Sequence, residues 1–476
     1  MNKATLITNW NQYTQKFGGF IEGAFLPMAV YGFFANGGGL CYVVSVNTLG
    51  VSLDPNLAKP AQAALPTTTD AKVDSLVVKA LKGGPTGNQV SVEVKHEGGE
   101  EGDTFLLIVS DAGVEVEKFE GLSMGSGAKN VETIVNKQSS VIVVEIARKT
   151  GKLSERRPAT GKYELAGGEM KELTVKSSEF EGDVAKREGL GALEAITDIT
   201  MVAAPDLMTS YLKGDIDLDG VKAVQGALLD HCERMKYRFA ILDAPPKMSP
   251  QEIGEWRLDK AGYDSKFGAV YYPWISVPNF TGGNGTTMLM PPSGHMAGVY
   301  ARVDGQRGVH KAPANEVVMG AVGLEINVTK GEQDVLNPIG VNCIRAFPGR
   351  GIRIWGARTL TSDPSWRYIN VRRLFNFVEA SIEGGTQWVV FEPNDQDLWA
   401  RVRRDVSAFL RLVWRSGALF GSTPEEAFYV KCDEELNPLE VRDAGQLIIE
   451  VGMAPVKPAE FVIFRISQWA GPNAEG

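Results

Sequence analysis

The spacing of hydrophobic residues changes several times along the chain, and each change predicts a different kind of element. Near the start, Trp10, Tyr13, Thr14 and Phe17 fall near one face of a short helix over 8–19, with Thr8 as its cap and Gly18-Gly19 as its stop. An apolar run follows from Gly23 to Ala35, interrupted by Pro27 and ended by Asn36-Gly37-Gly38-Gly39. A bilayer needs roughly 20 apolar residues, so this shorter run predicts a core helix, with a strand over Leu40–Val46 behind it. Residues 51–70 are rich in Pro, Ala and Thr without a period and read as a linker.

From 71 to 185 the β-prone runs Val73–Leu81, Gln89–Val94, Thr104–Ser110, Val114–Phe119 and Val141–Ile146 are separated by Gly, Asp and Asn. Asp111-Ala112-Gly113 reads as a hairpin turn between two of them. Lys- and Glu-rich stretches punctuate the region, which predicts a separate, exposed β-rich domain. From about 190 the pattern becomes helical and strand-like in alternation. Val221, Val224, Leu228, Cys232 and Met235 mark one helix face, Phe239–Leu242 is a short buried strand, and Phe267–Val277 a long one. Ser249-Pro250-Gln251-Glu252 is a capping box with Pro at the first helical position. Such alternation predicts a largely parallel sheet covered by helices.

The chain therefore reads as α/β: a helix-covered mixed sheet core with an inserted β-rich domain and a C-terminal α+β domain ending in an arm-like strand. The expected boundaries are 1–50 for the N-terminal part of the core, 51–70 for the linker and 71–185 for the inserted outer domain. Residues 186–345 form the main core and 346–476 the C-terminal domain.

Two C-terminal patterns suggest a surface for partners. In a helix over Asp397–Leu419, the residues Leu398, Val402, Val406, Phe409 and Val413 share one face. Arg401, Arg404, Arg411 and Arg415 fall nearly opposite them. Such a row is either an ordinary solvated face or a contact for an acidic partner, and few carboxylates lie within the helix to neutralise it. Gln446–Gly452 and Glu460–Ser467 read as strands. In the second, Phe461, Ile463 and Arg465 alternate with Val462, Phe464 and Ile466, so a strand apolar on both faces needs cover on both sides. It could lie within its own domain or add to a neighbour's sheet.

Composition narrows the classes. The chain has 476 residues, 43% hydrophobic and 22% charged, which excludes a disordered, collagenous or coiled-coil protein. A net charge of −9 argues against nucleic acid as a bulk partner. The charge is uneven: residues 340–420 hold twelve Arg against seven acids. Cys41, Cys232, Cys343 and Cys432 are scattered with no C-x-x-C pair, as expected of reduced thiols made in a cytoplasm. The first residues lack a signal peptide's basic-then-apolar pattern.

Catalytic signals are thin. Gly121-Leu122-Ser123-Met124-Gly125 matches G-x-S-x-G, but it lies in the exposed β-rich region with no identifiable His partner, so a Gly-rich loop is the better reading. Ser293-Gly294-His295 brings a hydroxyl and an imidazole together in sequence, yet Ser293 reads best as the cap of a helix over His295–Val303. A serine hydrolase using Ser123 or Ser293 stands as the enzymatic alternative, and a monomeric binding module with a basic patch as a third reading. His96, His231, His295 and His310 never pair at i, i+3 or i+4 and no zinc spacing occurs. The nucleotide motif G-x-x-x-x-G-K-[ST] is missing, and Gly349-Arg350-Gly351 and Gly282–Gly285 read as turns. No catalytic residue, cofactor or metal is expected.

Longer matched runs say more than these motifs. Ala29–Phe34 with Asn36-Gly37-Gly38 and Cys41–Val44, Pro291–His295 leading into Gly298–Arg302 and Arg307–Asn315, then Gly356–Leu360, Tyr368–Leu374, Gln387–Asn394 and Glu450–Pro455 resemble the sheath protein of contractile tails, in phages and in bacterial injection particles. The likeness covers roughly 190–467 well and 8–47 moderately, and 71–185 resembles the family's variable inserted domain.

The resemblance implies a structural subunit. It would form stacked hexameric rings around an inner tube of another protein and contract to drive that tube through a target envelope. Arg401, Arg404, Arg411 and Arg415 would face the tube, and Phe461–Ile466 would complete a neighbour's sheet. Baseplate and cap proteins would hold the ends, with no direct nucleic-acid contact and no membrane insertion. Assembly would occur in the bacterial cytoplasm, in a virion tail or a tail-like particle that is released. Family members begin with an extended strand before the first helix, whereas this chain starts at Met1-Asn2-Lys3 almost at that helix. Arm exchange is then expected to rest on the C-terminal strand alone.

Overall fold

Residues Thr5–Ile7 form β1, which pairs antiparallel with β2 (Cys41–Val43) and encloses two helices, α1 (Trp10–Phe17) and α2 (Leu26–Ala35). The capping residue of α1 is Asn9, whose side chain accepts from the Gln12 N–H at 2.9 Å, while Thr8 holds the Gln12 side chain. Sequence periodicity pointed one residue early because both neighbours are good caps. The start of α2 is tied by Asp206, which accepts from the N–H groups of Phe25 and Leu26 at 2.6 and 2.8 Å. The computed structural model describes residues 2–47, 58–98, 102–170, 174–282 and 285–460. The chain separates into two units, Met1–Thr48 with Val175–Gly476, and Leu49–Thr174.

The second unit is antiparallel β. It contains β3 (Ala58–Lys59), β4 (Gln62–Pro66), β5 (Asp74–Ala80), β6 (Val90–Glu97), β7 (Thr104–Asp111), β8 (Val114–Ser123), the helix α3 (Val131–Gln138), β9 (Ile142–Ile146), β10 (Gly161–Glu164) and β11 (Glu169–Met170). These make sheets of order β10-β6-β7-β8, β4-β5-β9 and β3-β11. Leu65, Leu76, Val78, Val92, Phe105, Leu107, Leu122 and Val144 meet in its core. The β7–β8 turn sits at Ala112-Gly113, both at positive φ (49° and 83°), the geometry of a tight two-residue hairpin. Within the stretch expected to link, residues 58–59 and 62–66 are strands of this unit. Their Ala and Pro content hides the alternation, and only Ala61 and Leu65 are sealed. Residues 175–185, expected in the inserted domain, belong to the other unit, where Val175 and Phe180 join the core.

That other unit is built on a five-stranded mixed sheet of order β12-β13-β14-β18-β19: β12 (Met201–Val202), β13 (Phe239–Asp243), β14 (Gly268–Tyr272), β18 (Val341–Phe347) and β19 (Gly351–Ile354). The first four are parallel and β19 returns antiparallel. Both faces are covered. Phe239, Ile241, Ala269 and Tyr271 point into one core and Ala240, Leu242, Val270 and Tyr272 into another, which explains why these strands read as continuous apolar runs. Helix α4 (Leu218–Met235) contributes to both cores, Val221 and Val224 to the first, Leu228 and Cys232 to the second.

The long strand expected over 267–277 is two. β14 ends at Tyr272, and β15 (Ile275–Pro278) joins a separate three-stranded sheet with β16 (Thr287–Met290) and β17 (Gly323–Leu324). Pro273 interrupts the run, having no N–H to continue a ladder.

Helix α5 (Ser293–Arg307) crosses α2 at glycine contacts. A Cβ on Gly294 would lie 2.5 Å from the Ala29 carbonyl oxygen, and one on Gly298 2.4 Å from that of Phe33. Gly32 in turn makes room for the His295 ring. Gly298→Leu should therefore separate the two helices and leave little soluble, folded protein. Recovery of soluble chain with unchanged near-ultraviolet circular dichroism would refute this packing.

Candidate functional site

The C-terminal part of the larger unit carries the residues singled out for partner contact. Helix α6 (Ile369–Gly385) runs from the sheet core, where Ile369 is buried, to a further core with Leu374 and Val378. Helix α7 (Gln396–Arg415) lies in that core, with Leu398, Trp399, Val402, Val406, Leu410 and Val413 buried. Asp395 caps α7, accepting from the Leu398 N–H at 2.9 Å. A two-stranded pair, β20 (Phe428–Lys431) with β21 (Glu450–Met453), packs alongside through Phe428, Val430, Val451 and Met453. Residues 446–449, expected as part of a strand, precede β21 without pairing.

All four predicted arginines are exposed on the side of α7 away from its core. Arg401 reaches Glu392 in the preceding loop at 3.5 Å and stands over the Trp388 ring, 4.4 Å from its centroid. Arg404 contacts Asp405 at 3.0 Å. Arg411 and Arg415 have no ionic partner among the described residues. Arg403, the fifth arginine of this helix, turns inward to the Cys432 carbonyl. The row is thus half neutralised at its N-terminal end and uncompensated at its C-terminal end. The sequence could not show the Glu392 contact, because that carboxylate comes from outside the helix.

Part of the regional arginine excess is internal. Arg373 is 5% exposed and forms a two-point pair with Asp304 at 2.9 and 2.6 Å, beneath the Tyr300 ring. Arg372 bonds Asn376 and Glu379, both at 2.7 Å, and stacks between Phe267 and Trp366. Arg358 holds Glu460 at 2.9 and 2.6 Å. These side chains join α6 and the last described residues to the sheet core. Planar guanidinium groups suit such stacked, multiply bonded positions.

Glu460 also accepts from Asn337 at 2.6 Å and from the Tyr368 hydroxyl at 3.2 Å, and these donors together with Arg358 hold its carboxyl below the usual range against the effect of burial. The chain is fixed at this point. Phe461, Val462, Ile463, Phe464, Arg465 and Ile466, predicted as an arm strand, lie outside the described residues.

The serines are placed differently from the expectation. Helix α5 starts at Ser293 itself, with Pro292 in the cap position, so Ser293 caps nothing. Its N–H and hydroxyl donate to the two Asp243 oxygens at 2.8 and 2.6 Å, and both residues are sealed from solvent. A hydroxyl committed to a buried carboxylate has no route to a substrate. His295 is buried as well, and burial holds its pKa down at about 4. Ser123 ends β8 and accepts from the Gly125 N–H at 3.2 Å. His96, in the same unit, has its Nε2 on the Pro158 carbonyl at 2.9 Å. Among the described residues neither serine is hydrogen-bonded to a histidine. No group of His, Cys, Asp and Glu that could hold a metal occurs among the described residues.

Asp243 gives a test of this interior. Burial pushes its carboxyl up to about 7 although the Ser293 donors oppose it. The folded state then holds the proton more tightly than the unfolded chain, so this group's contribution to stability falls as pH rises from about 4 to 7. The stability difference between Asp243→Asn and the wild type should move in the variant's favour over that range, by up to about 4 kcal/mol. Urea titrations at pH 4.5 and 7.5 measure it, and a difference independent of pH would contradict the assignment.

The geometry is that of a protein whose exposed chemistry is a charged, partly apolar surface. Comparison with known proteins gives the class. Residues 188–360 match the phage tail sheath protein central domain and residues 361–468 the phage tail sheath C-terminal domain, together more than half of the chain. The tail sheath protein of Vibrio phage KVP40 is 28% identical over 183 residues, 38% of this chain and 26% of that protein. The chain thus matches only about a quarter of that relative's length. A chain of the anti-feeding prophage baseplate is 38% identical, covering 58% of this chain and 70% of that one at a TM-score of 0.50. The anti-feeding prophage helical sheath in its contracted state is 26% identical, covering 98% of this chain and 88% of that one at a TM-score of 0.59. The chain belongs to the contractile tail sheath protein family.

Proposed function

We propose that the chain is the sheath subunit of a contractile tail or injection particle. It polymerises as stacked hexameric rings around an inner tube and contracts to drive the tube through a target envelope. The observation that carries this reading is the near-complete coverage, 98% of the chain, by a sheath subunit in the contracted state. The partners are further copies of the chain, the inner tube protein, and baseplate and cap proteins at the two ends. Assembly takes place in the bacterial cytoplasm, and the product is a virion tail or a released tail-like particle. Among the described residues no helix is long and apolar enough to cross a membrane.

Two local features support roles within that assembly. The arginine row on α7 is the tube contact: solvated Arg–carboxylate pairs, at about 0.2–1 kcal/mol each, hold the extended state yet break when the sheath moves. Residues Phe461–Ile466, expected from the sequence as a strand, would be the arm that adds to a neighbour's sheet. Its natural acceptor is the β20–β21 pair, because a two-strand sheet of four-residue strands is marginal alone and gains from a third strand. Main-chain hydrogen bonds of this kind persist while connectors change angle, which lets subunits slide without leaving the lattice.

Negative-stain electron microscopy tests the reading, on the purified chain alone and with tubes of the same particle's inner tube protein. Striated hollow cylinders are expected. Dispersed monomers under both conditions would overturn it and favour a monomeric binding module.

A further inference from the structure

A cleft of about 600 Å³ opens in the larger unit beside β12, the edge strand of the five-stranded sheet. Small-molecule sites span roughly 300–1,000 Å³. Residues 198–206, which include β12, form one wall, and residues 39–44, which include β2, form another. Helix α2 supplies Ala29, Val30 and Phe33 between them. Helix α5 lines the cleft with Gly294, Ala297, Ala301 and Asp304, a single helix face on which three small residues leave the space unfilled.

The charges of this lining are of one sign. Among the described residues it holds Glu181, Asp198, Asp206 and Asp304 and no Lys, Arg or His. Two of these carboxylates are already committed. Asp206 accepts from the N–H groups of Phe25 and Leu26, and Asp304 pairs with Arg373. Glu181 and Asp198 are exposed. Asp198 accepts from the Tyr42 hydroxyl of the opposite wall at 3.5 Å, and Glu181 has no ionic partner among the described residues. Arg238 lies near Asp198 but is sealed, bonded to His231 and to the Leu193 and Ile196 carbonyls.

A recess with apolar walls and exposed carboxylates favours a molecule of two parts. The apolar part gains by leaving water, and a cationic end keeps its hydration while it meets the acids. We propose that this cleft binds a single-chain amphiphile with a cationic head, its alkyl chain against Ala297 and Ala301 and its head at Glu181 and Asp198. The occupant is one detached molecule and not a bilayer, because the apolar groups line a recess instead of a raised face. The assignment does not depend on the tube contact or on polymerisation.

Calorimetric titration of the full chain with dodecyltrimethylammonium, below its micelle concentration, tests the proposal. One site per chain is expected, with affinity at least about tenfold above that for dodecyl sulfate. Affinity should rise about threefold for each methylene from the octyl to the dodecyl probe, as burial of the chain requires. Asp198→Asn with Glu181→Gln should bring the cationic and anionic probes within about twofold of each other while the dependence on chain length remains. Ala297→Phe should abolish binding without lowering Tm, since the ring enters space that is already open. Ala301→Phe makes the same obstruction from the next turn of α5, should the first variant not fold.

Equal affinity of wild type for the two head charges would overturn the proposal, as would the absence of saturable binding. Binding that survives in folded Ala297→Phe and Ala301→Phe would place the probe elsewhere on the surface and equally refute the site. If the probe does not bind and these folded variants also fail to form cylinders, the cleft receives another copy of the chain and the proposal is wrong.

Discussion

Arg373→Met is expected to cost about 3–5 kcal/mol of stability, the range for removing one partner of a buried ion pair. Arg373 bonds Asp304 at two points beneath the Tyr300 ring, and Asp304, whose side chain is 23% exposed, would lose both of these charged hydrogen bonds. Asp304→Leu alone should cost a similar amount by stranding the guanidinium. The double variant should recover much of the loss, since two apolar groups of comparable size need no charge compensation. Urea denaturation of the four proteins closes the cycle. A single substitution costing less than about 1 kcal/mol would show that solvent reaches the pair freely. The prediction concerns fold and not surface: no assembly partner is needed to observe it.

The second large effect is on assembly. Arg411→Glu with Arg415→Glu reverses the two uncompensated charges of α7 and should reduce tube-templated extended sheath by an order of magnitude or more. Contracted cylinders formed without a tube should persist. Each Arg–carboxylate contact would be weak, but on the proposed reading the reversal turns two attractions into repulsions in every subunit that touches the tube. The wild type should approach the variant's behaviour near 1 M salt, where charges are screened beyond about 3 Å. Templating by the wild type that is indifferent to salt would remove the electrostatic basis of the contact. Templating by the variant equal to wild type would remove the arginines themselves.

The helices that packing patterns predicted were well placed. Helix α7 was expected over 397–419 and occupies 396–415, because its apolar and charged residues fall on clean opposite faces. The Ser249–Glu252 capping box has both of its hydrogen bonds, at 3.3 and 2.7 Å, because that motif is defined by local geometry alone. Long-range pairings were not legible. β1 was missed because three residues carry no period, and it is fixed only by pairing with β2 more than thirty positions later. Ser293 was assigned a local role, whereas its partner Asp243 lies fifty residues back. Trp399 and Leu410 were left off the buried face of α7, and Arg358, Arg372 and Arg373 were counted as free charge. For Arg358 and Arg373 the deciding carboxylate comes from another element, whereas Arg372 bonds Asn376 and Glu379 on its own helix.

The pairing of β3 with β11 has a consequence for how this chain can vary. Ala58 stands opposite Met170 and Lys59 opposite Glu169, so the first and last described strands of this unit lie side by side, about 5 Å apart. A domain whose two ends meet in this way behaves as a cartridge. Neither matched sheath segment reaches into it, since the first begins at residue 188. The chain between Lys59 and Glu169 can therefore change in length or sequence while the two closing strands keep their spacing. It is also the place in this molecule where a foreign domain could be grafted and carried along.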